Sequence, residues 1–224
     1  MEAKYDFEKK FREQILQCSR CGFCQAVCPV YGATLRPGLN ARGKMLLLKE
    51  VMDGNLELND QLGESLFQCT TCASCFENCP SGVEVPEIIK QARKDMVNVG
   101  SCHPAFEGMH KVLQKHTNIY AEDEPEDFER ERNQKAEYVY FIGCVGSYRE
   151  DEPTLETLDL LDRLKVDYTL IDEVCCSGVL EDVGYGINPD LARKNMDLVL
   201  DTGAKTIITG CPYCFRTFNN KSQY

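Results

Sequence analysis

Apolar residues recur at helical spacing early in the chain, with Phe7, Phe11, Ile15 and Leu16 preceding the first cysteines. Ala41 to Met52 (ARGKMLLLKEVM) reads as a helix that ends at the turn signal Asp53-Gly54. Leu56 to Phe67 and Val85 to Val97 read as two more, the latter with Pro86 in its first turn and Gly100 just past its end. Strand signals are nearly absent in this part. From residue 137 the pattern changes. β-rich runs at Tyr138 to Ile142, Tyr168 to Ile171 and Thr206 to Thr209 alternate with helical stretches at Pro153 to Leu164 and Leu191 to Leu200. A final turn and helix follow Cys211. Such alternation predicts parallel strands in an α/β layer. The cysteines fall just past the strands, at the edge where ligands gather in open α/β sheets. In between, Ala121 to Lys135 is a dense charge run without apolar period, the pattern of a solvated linker. The expected organisation is an α-helical domain at 1–100, a charged linker at 101–136 and a small α/β domain with a parallel sheet at 137–224.

Composition supports packed domains, with 43% hydrophobic and 27% charged residues. Thirty-six acidic residues against 25 basic ones give a net charge of -11, which argues against nucleic acid as a partner. The segment Met1 to Lys10 is charged and no apolar region of a signal peptide follows it. No run approaches the roughly 18 apolar residues of a membrane span. The expectation is a cytoplasmic chain with no direct membrane span, peripheral to a membrane only through a partner.

Fourteen cysteines then dominate the picture. In a short secreted chain they would read as a disulfide framework, but these sit in close C-x-x-C steps unsuited to long-range stapling. One motif occurs twice: Cys18-Ser-Arg-Cys21-Gly-Phe-Cys24-Gln-Ala-Val-Cys28-Pro29 and Cys69-Thr-Thr-Cys72-Ala-Ser-Cys75-Phe-Glu-Asn-Cys79-Pro80. Both are C-x2-C-x2-C-x3-C-P, the bacterial ferredoxin run. Three thiolates at this interval wrap one corner of a [4Fe–4S] cubane. The fourth, followed by proline, leaves in another direction and ligates the other cluster. The expected ligand sets are therefore Cys18, Cys21, Cys24 and Cys79 for one cluster, and Cys69, Cys72, Cys75 and Cys28 for the second. A zinc knuckle would waste the third cysteine of each triplet.

Forty residues lie between Cys28 and Cys69. This long helical spacer resembles the α-helical ferredoxin domain of succinate dehydrogenase-type and heterodisulfide reductase-type subunits. Cys28-Pro-Val-Tyr31 and Ala41-Arg42-Gly43-Lys44 are similar to stretches of that group. Arg42 and Lys44 read either as surface charges or as residues beside a cluster or partner.

A second constellation comprises Cys144, the pair Cys175-Cys176, and Cys211-Pro-Tyr-Cys214. It resembles the CCG domain of the heterodisulfide reductase catalytic subunit and of the iron–sulfur subunits of glycolate, lactate and anaerobic glycerol-3-phosphate dehydrogenases. Phe141-Ile-Gly-Cys144 and Gly210-Cys-Pro-Tyr-Cys214-Phe fit that family, while Cys175-Cys176-Ser177-Gly178 departs from it by one serine before the glycine. The resemblance implies a third iron–sulfur cluster, a non-cubane [4Fe–4S] site acting on a disulfide, held by Cys144, Cys175, Cys176, Cys211 and Cys214. An ordinary cubane, a zinc site and an unfilled motif are the bland alternatives. Relatives usually continue into a second CCG motif, whereas this sequence ends ten residues after Cys214, so it reads as a short form or a fragment.

Cys102, alone in Ser-Cys-His-Pro, reads as a small buried apolar residue. His103, His110 and His116 read as linker polarity rather than ligands. Neither G-x-G-x-x-G nor a P-loop occurs, and Gly184-Tyr-Gly186 is too short to count, so any nucleotide belongs to another subunit. The combined expectation is an electron-transfer subunit of an oxidoreductase complex. Two cubanes would feed a CCG site with heterodisulfide reductase-like thiol/disulfide chemistry. The alternative is a pure relay for a flavin-dependent 2-hydroxyacid or glycerol-3-phosphate dehydrogenase. The implied partners are a flavoprotein, a haem membrane subunit or a second CCG subunit, with a disulfide as substrate.

Overall fold

The structure, a computed structural model, describes residues 3–219; residues 220–224, into which the sequence reading extends its final helix, lie outside them. It is mostly helical with one small sheet, and it divides into two compact units. The first holds the described residues up to Glu107 together with Glu181–Tyr185; the second holds Gly108–Leu180 and Gly186 onward. Among the described residues no helix is long and apolar enough to cross a membrane.

In the first unit, α1 (Asp6–Gln17), α4 (Ala41–Met52), α5 (Asp60–Phe67) and α7 (Val85–Asn98) surround one core. The short helices α2 (Phe23–Ala26), α3 (Pro29–Thr34) and α6 (Ser74–Glu77) lie within or just after the two cysteine motifs. On α1, Phe7 and Ile15 are buried, whereas Leu16 faces out at 52% exposure. On α7, Ile88, Ile89, Ala92 and Met96 are fully buried. Each large apolar side chain buried there contributes about 1.5–3 kcal/mol. Helix α4 buries Ala41, Met45, Leu48, Val51 and Met52, the i, i+4, i+7 stripe of an amphipathic helix, and Lys44 lies on the same stripe. Asn40 caps it, its side chain accepting from the Gly43 N–H at 2.8 Å. A 3-10 turn at Pro37–Leu39 packs against its start.

The stretch 101–136 includes α8 (Pro104–His116) and two anchors, Leu113 at 1% and Phe128 at 3% exposure. In the second unit, β1 (Tyr138–Tyr140), β2 (Tyr168–Thr169) and β3 (Thr206–Ile208) form a parallel sheet in the order β2-β1-β3. Tyr138 aligns with Tyr168 on one side and Thr206 on the other. The helices α9 (Cys144–Tyr148), α10 (Asp151–Arg163), α12 (Pro189–Thr202) and α13 (Pro212–Asn219) complete this unit, and α11 (Gly178–Asp182) begins in it. The apolar runs continue past the ladder, with Phe141, Ile142, Leu170 and Ile171 buried, and carry the chain to the cysteines.

Candidate functional site: three groups of cysteines

The two motifs of the first unit fold alike. The second residue after each leading cysteine, Arg20 and Thr71, has φ of 57° and 52°. The fourth, Gly22 and Ala73, has φ of 91° and 63°. Left-handed residues at alternate positions turn successive backbone N–H groups toward a common centre, the concave nest that receives anions and iron–sulfur clusters. The second cysteine of each motif, Cys21 and Cys72, is exposed and its pKa lies below the usual thiol value. At Cys21 the largest cause is the Phe23 N–H; at Cys72 burial pushes up, and the Ser74 hydroxyl and N–H outweigh it. The third cysteines are raised, Cys24 by burial and Cys75 by burial to about 12.

Two small pockets result. Cys18, Cys21, Cys24 and Cys79 line one, together with Cys75, which lines both. Cys28, Cys69, Cys72 and Cys75 line the other. The fourth cysteine of each motif thus stands with the first three of the other, although Cys18 and Cys79 are far apart in sequence. No carboxylate lines either pocket. Thiol donors and inward-turned N–H groups suit a negatively charged iron–sulfur cluster. Among the described residues, no three His, Cys, Asp or Glu side chains are grouped as one metal ion would require.

Four cations lie at or beside these pockets, the exposed Arg20 among the residues lining the first. Arg42 lines the first, its guanidinium donating to Gln25 Oε1 at 2.9 Å. Lys44 lines the second, is 1% exposed, and donates from Nζ to the Leu39 carbonyl. Burial pulls its pKa down, while the thiolates of Cys69, Cys28 and Cys75 push it back up. Arg93, 3% exposed, donates to the carbonyls of Leu66 at 2.8 Å and Asp182 at 2.6 Å and also to that of Cys69. Cys102 is half-buried beside Tyr185, and burial raises its pKa. His103 instead accepts on Nδ1 from the Ala105 N–H at 3.2 Å, and His116 faces Asp123 at 3.7 Å.

In the second unit the three strands end at three cysteine groups. β1 runs through Gly143 (φ 85°) into Cys144, β2 is followed by Cys175-Cys176, and β3 by Cys211 and Cys214. Cys175 Sγ lies 3.9 Å from Cys144 Sγ, and Cys214 Sγ lies 3.4 Å from Cys176 Sγ. The crowding splits the acidities. Cys176 is driven down by hydrogen bonds from Cys175 and Cys214, and Cys211 is lowered to about 6 by Cys214. Cys175 is driven up by Cys144 and Cys176, and Cys214 by Cys176 and Cys211. Five thiolates cannot share this volume unless a cationic centre compensates them.

Polar residues fix the loops. Asn195, fully buried, accepts from the Val174 N–H and donates to the Val174 carbonyl, both at 2.9 Å. The Cys175 N–H donates to the Thr117 carbonyl at 2.9 Å. Glu173 accepts from the N–H groups of Gly143 at 2.6 Å and Ile142 at 2.9 Å, and burial raises its pKa to about 8. Ser177, the inserted serine, takes φ 57° and turns its N–H onto Cys175 Sγ at 3.4 Å. The glycine after it serves packing instead, because a Cβ on Gly178 would lie 2.1 Å from Thr217 Oγ1. Gly178→Ala is therefore expected to cost about 2 kcal/mol by overpacking, with Thr217→Ala in the same chain recovering much of it. Denaturant midpoints check this; a single variant as stable as the parent contradicts it. A cleft of about 650 Å³ opens onto the group, its wall including Cys144, Cys175, Glu173, Arg132 and Lys194.

Family comparisons agree with these two units. The 4Fe-4S dicluster domain matches residues 14–83, and the cysteine-rich domain, CCG, matches residues 138–219. The chain therefore carries two matched domains in succession, a 4Fe-4S dicluster domain and a CCG cysteine-rich domain. Among curated proteins, it is 27% identical to a subunit of the dihydromethanophenazine:CoB–CoM heterodisulfide reductase of Methanosarcina acetivorans, over 89% of this chain and 55% of that protein. It is 26% identical to the glycolate oxidase iron–sulfur subunit of Escherichia coli, over 88% of this chain and 56% of that one. Against the EtfAB:quinone oxidoreductase of Syntrophomonas wolfei the identity is 23%, over 96% of this chain and 38% of that protein. The chain thus spans about half the length of the first two.

Sequence reasoning missed Arg93, Asn195 and Glu173. Each is polar and acts on a partner distant in sequence, so no local motif marks it.

Proposed function

We propose that this chain is the electron-carrying part of an oxidoreductase complex that performs thiol/disulfide chemistry at the CCG group. Cys18, Cys21, Cys24 and Cys79 hold one [4Fe–4S] cluster, and Cys28, Cys69, Cys72 and Cys75 hold the second. Cys144, Cys175, Cys176, Cys211 and Cys214 would hold a third iron–sulfur group, whose chemistry there would be one-electron transfer toward a bound disulfide. Reduction of a disulfide to two thiols takes two electrons and two protons, so electrons arrive from a flavoprotein or haem-bearing partner through the dicluster unit.

The observation that carries this reading is the 650 Å³ cleft with Cys144 and Cys175 on its wall. A relay centre of a hydroxyacid dehydrogenase needs burial and a path to its neighbours, but no cleft for a substrate. The names of the relatives fit both readings, and the cleft favours disulfide chemistry.

The test is anaerobic iron and sulfide analysis with EPR, with and without an added thiol. About twelve irons per chain, and an oxidised-state signal that changes on adding thiol, are expected. About eight irons with only reduced-cubane signals would leave a two-cluster wire and sink the proposal.

A further inference from the structure

We propose that Lys44 fixes the order of potentials in the dicluster unit: its buried ammonium makes the cluster of Cys28, Cys69, Cys72 and Cys75 the easier of the two to reduce. The inference rests on the ligand sets proposed above.

The position is unusual for a lysine. It falls on the apolar stripe of α4, between Ala41 and Leu48, and is buried to 1% exposure. Its ammonium has a carbonyl partner, that of Leu39. The strongest charges acting on it are the thiolates of Cys69, Cys28 and Cys75 and the guanidinium of Arg93, with no carboxylate among them. An ammonium taken out of water without a carboxylate is costly and persists where another anion compensates it. The pocket it lines is where four thiolates and a cluster would supply that anion.

Reduction adds one negative charge to a cluster. A fixed cation nearby favours the reduced form, and does so more strongly where water is excluded. Arg93 adds a second buried cation on the same side, donating to the Cys69 carbonyl. The first pocket has cations too, but Arg20 is exposed and Arg42 half-buried, so solvent and salt screen them. The two ferredoxin-like motifs are near copies in backbone; their electrostatic surroundings are not. Lys44 is a positioning charge rather than a catalytic residue.

The experiment is an EPR-monitored redox titration of the full chain under anaerobic conditions. Cys21→Ser and Cys72→Ser, at equivalent exposed ligand positions, identify which wave belongs to which cluster. In the parent chain the higher-potential wave is expected to be the one that Cys72→Ser removes. Lys44→Met is expected to shift that wave down by about tenfold in the reduction equilibrium, 59 mV for one electron. The other wave stays in place, and Lys44→Arg restores the first.

Full iron content with both waves unmoved in Lys44→Met overturns the role of Lys44 and leaves the ligand sets standing. A shift confined to the wave identified by Cys21→Ser overturns the ligand sets instead. Should Lys44→Met fail to hold iron, the order in the parent chain decides. A higher wave that belongs to Cys21 rejects the proposal.

Discussion

Alanine at position 43 is expected to destabilise the first unit by about 3 kcal/mol or more and to release iron from both of its cysteine pockets. A Cβ there would stand 2.2 Å from the Pro37 carbonyl oxygen and 2.8 Å from the Gly38 Cα. Both are backbone atoms, so no rotamer change relieves the clash, and α4 must lift away from the 3-10 turn. That turn is held in place from the other side, where Ser65 Oγ donates to the Gly38 carbonyl at 2.9 Å and Leu39 is buried. Lifting α4 also breaks the Asn40 cap on the Gly43 N–H, worth about 1 kcal/mol. It disturbs Gln25 as well, whose Oε1 accepts from both Asn40 and Arg42 at 2.9 Å. Arg42 and Lys44, one at each pocket, move with the helix. The Arg-Gly-Lys triplet is thus one device: two cations aimed at two pockets, and between them a residue without a side chain. Gly32→Ala is the control, since a Cβ there meets nothing within 4 Å. Denaturant midpoints and iron content of the two variants decide the matter. Equal behaviour would mean that the close approach of α4 and the turn does not hold the pockets.

Much of this unit was legible because its signals are local. The limits of α4 coincide with the apolar period and its turn signal, Ala41 to Met52. Helix α5 begins at Asp60, later than Leu56, because Asn59 caps it by accepting from the Leu62 N–H at 3.0 Å. The strand ladders end at Tyr140, Thr169 and Ile208, short of the apolar runs, because the chain must leave the sheet to bring each cysteine group to its edge. Helix α8 lies in the stretch read as linker although Phe106, Met109 and Leu113 recur in it at helical spacing; the charge run from Ala121 coloured the reading of the whole segment. Pattern logic assigns polar and charged residues to the surface, which conceals Arg93 and Asn195. Lys44 did leave a signal. It occupies a core position in the stripe formed by Ala41, Met45, Leu48 and Met52, where a charge is unexpected unless something buried needs it.

Replacing Cys79 with serine is expected to remove the cluster that involves Cys18, Cys21 and Cys24, not the one whose motif Cys79 belongs to. Iron from the dicluster unit should fall from about eight to about four atoms. The grounds are spatial: Cys79 lines the pocket of Cys18, Cys21 and Cys24, while Cys28 lines that of Cys69, Cys72 and Cys75. Cys79 is oriented by its own turn, with the Val83 N–H donating to its Sγ at 3.4 Å and the Gly82 N–H to its carbonyl at 3.1 Å. Serine keeps that turn, so the loss reports on ligation rather than on local folding. EPR of the reduced chain should show that Cys79→Ser and Cys21→Ser abolish the same signal, and that Cys28→Ser and Cys72→Ser abolish the other. The exchange has a mechanical consequence. Each cluster then staples one motif to the other across the 40 residues between Cys28 and Cys69, so metal-binding energy becomes folding energy for the whole unit. Losing one cluster should therefore lower the unfolding midpoint of the first unit while the second cluster still holds it together. If Cys79→Ser removes the Cys72 signal instead, each motif binds its own cluster and the crossed assignment fails.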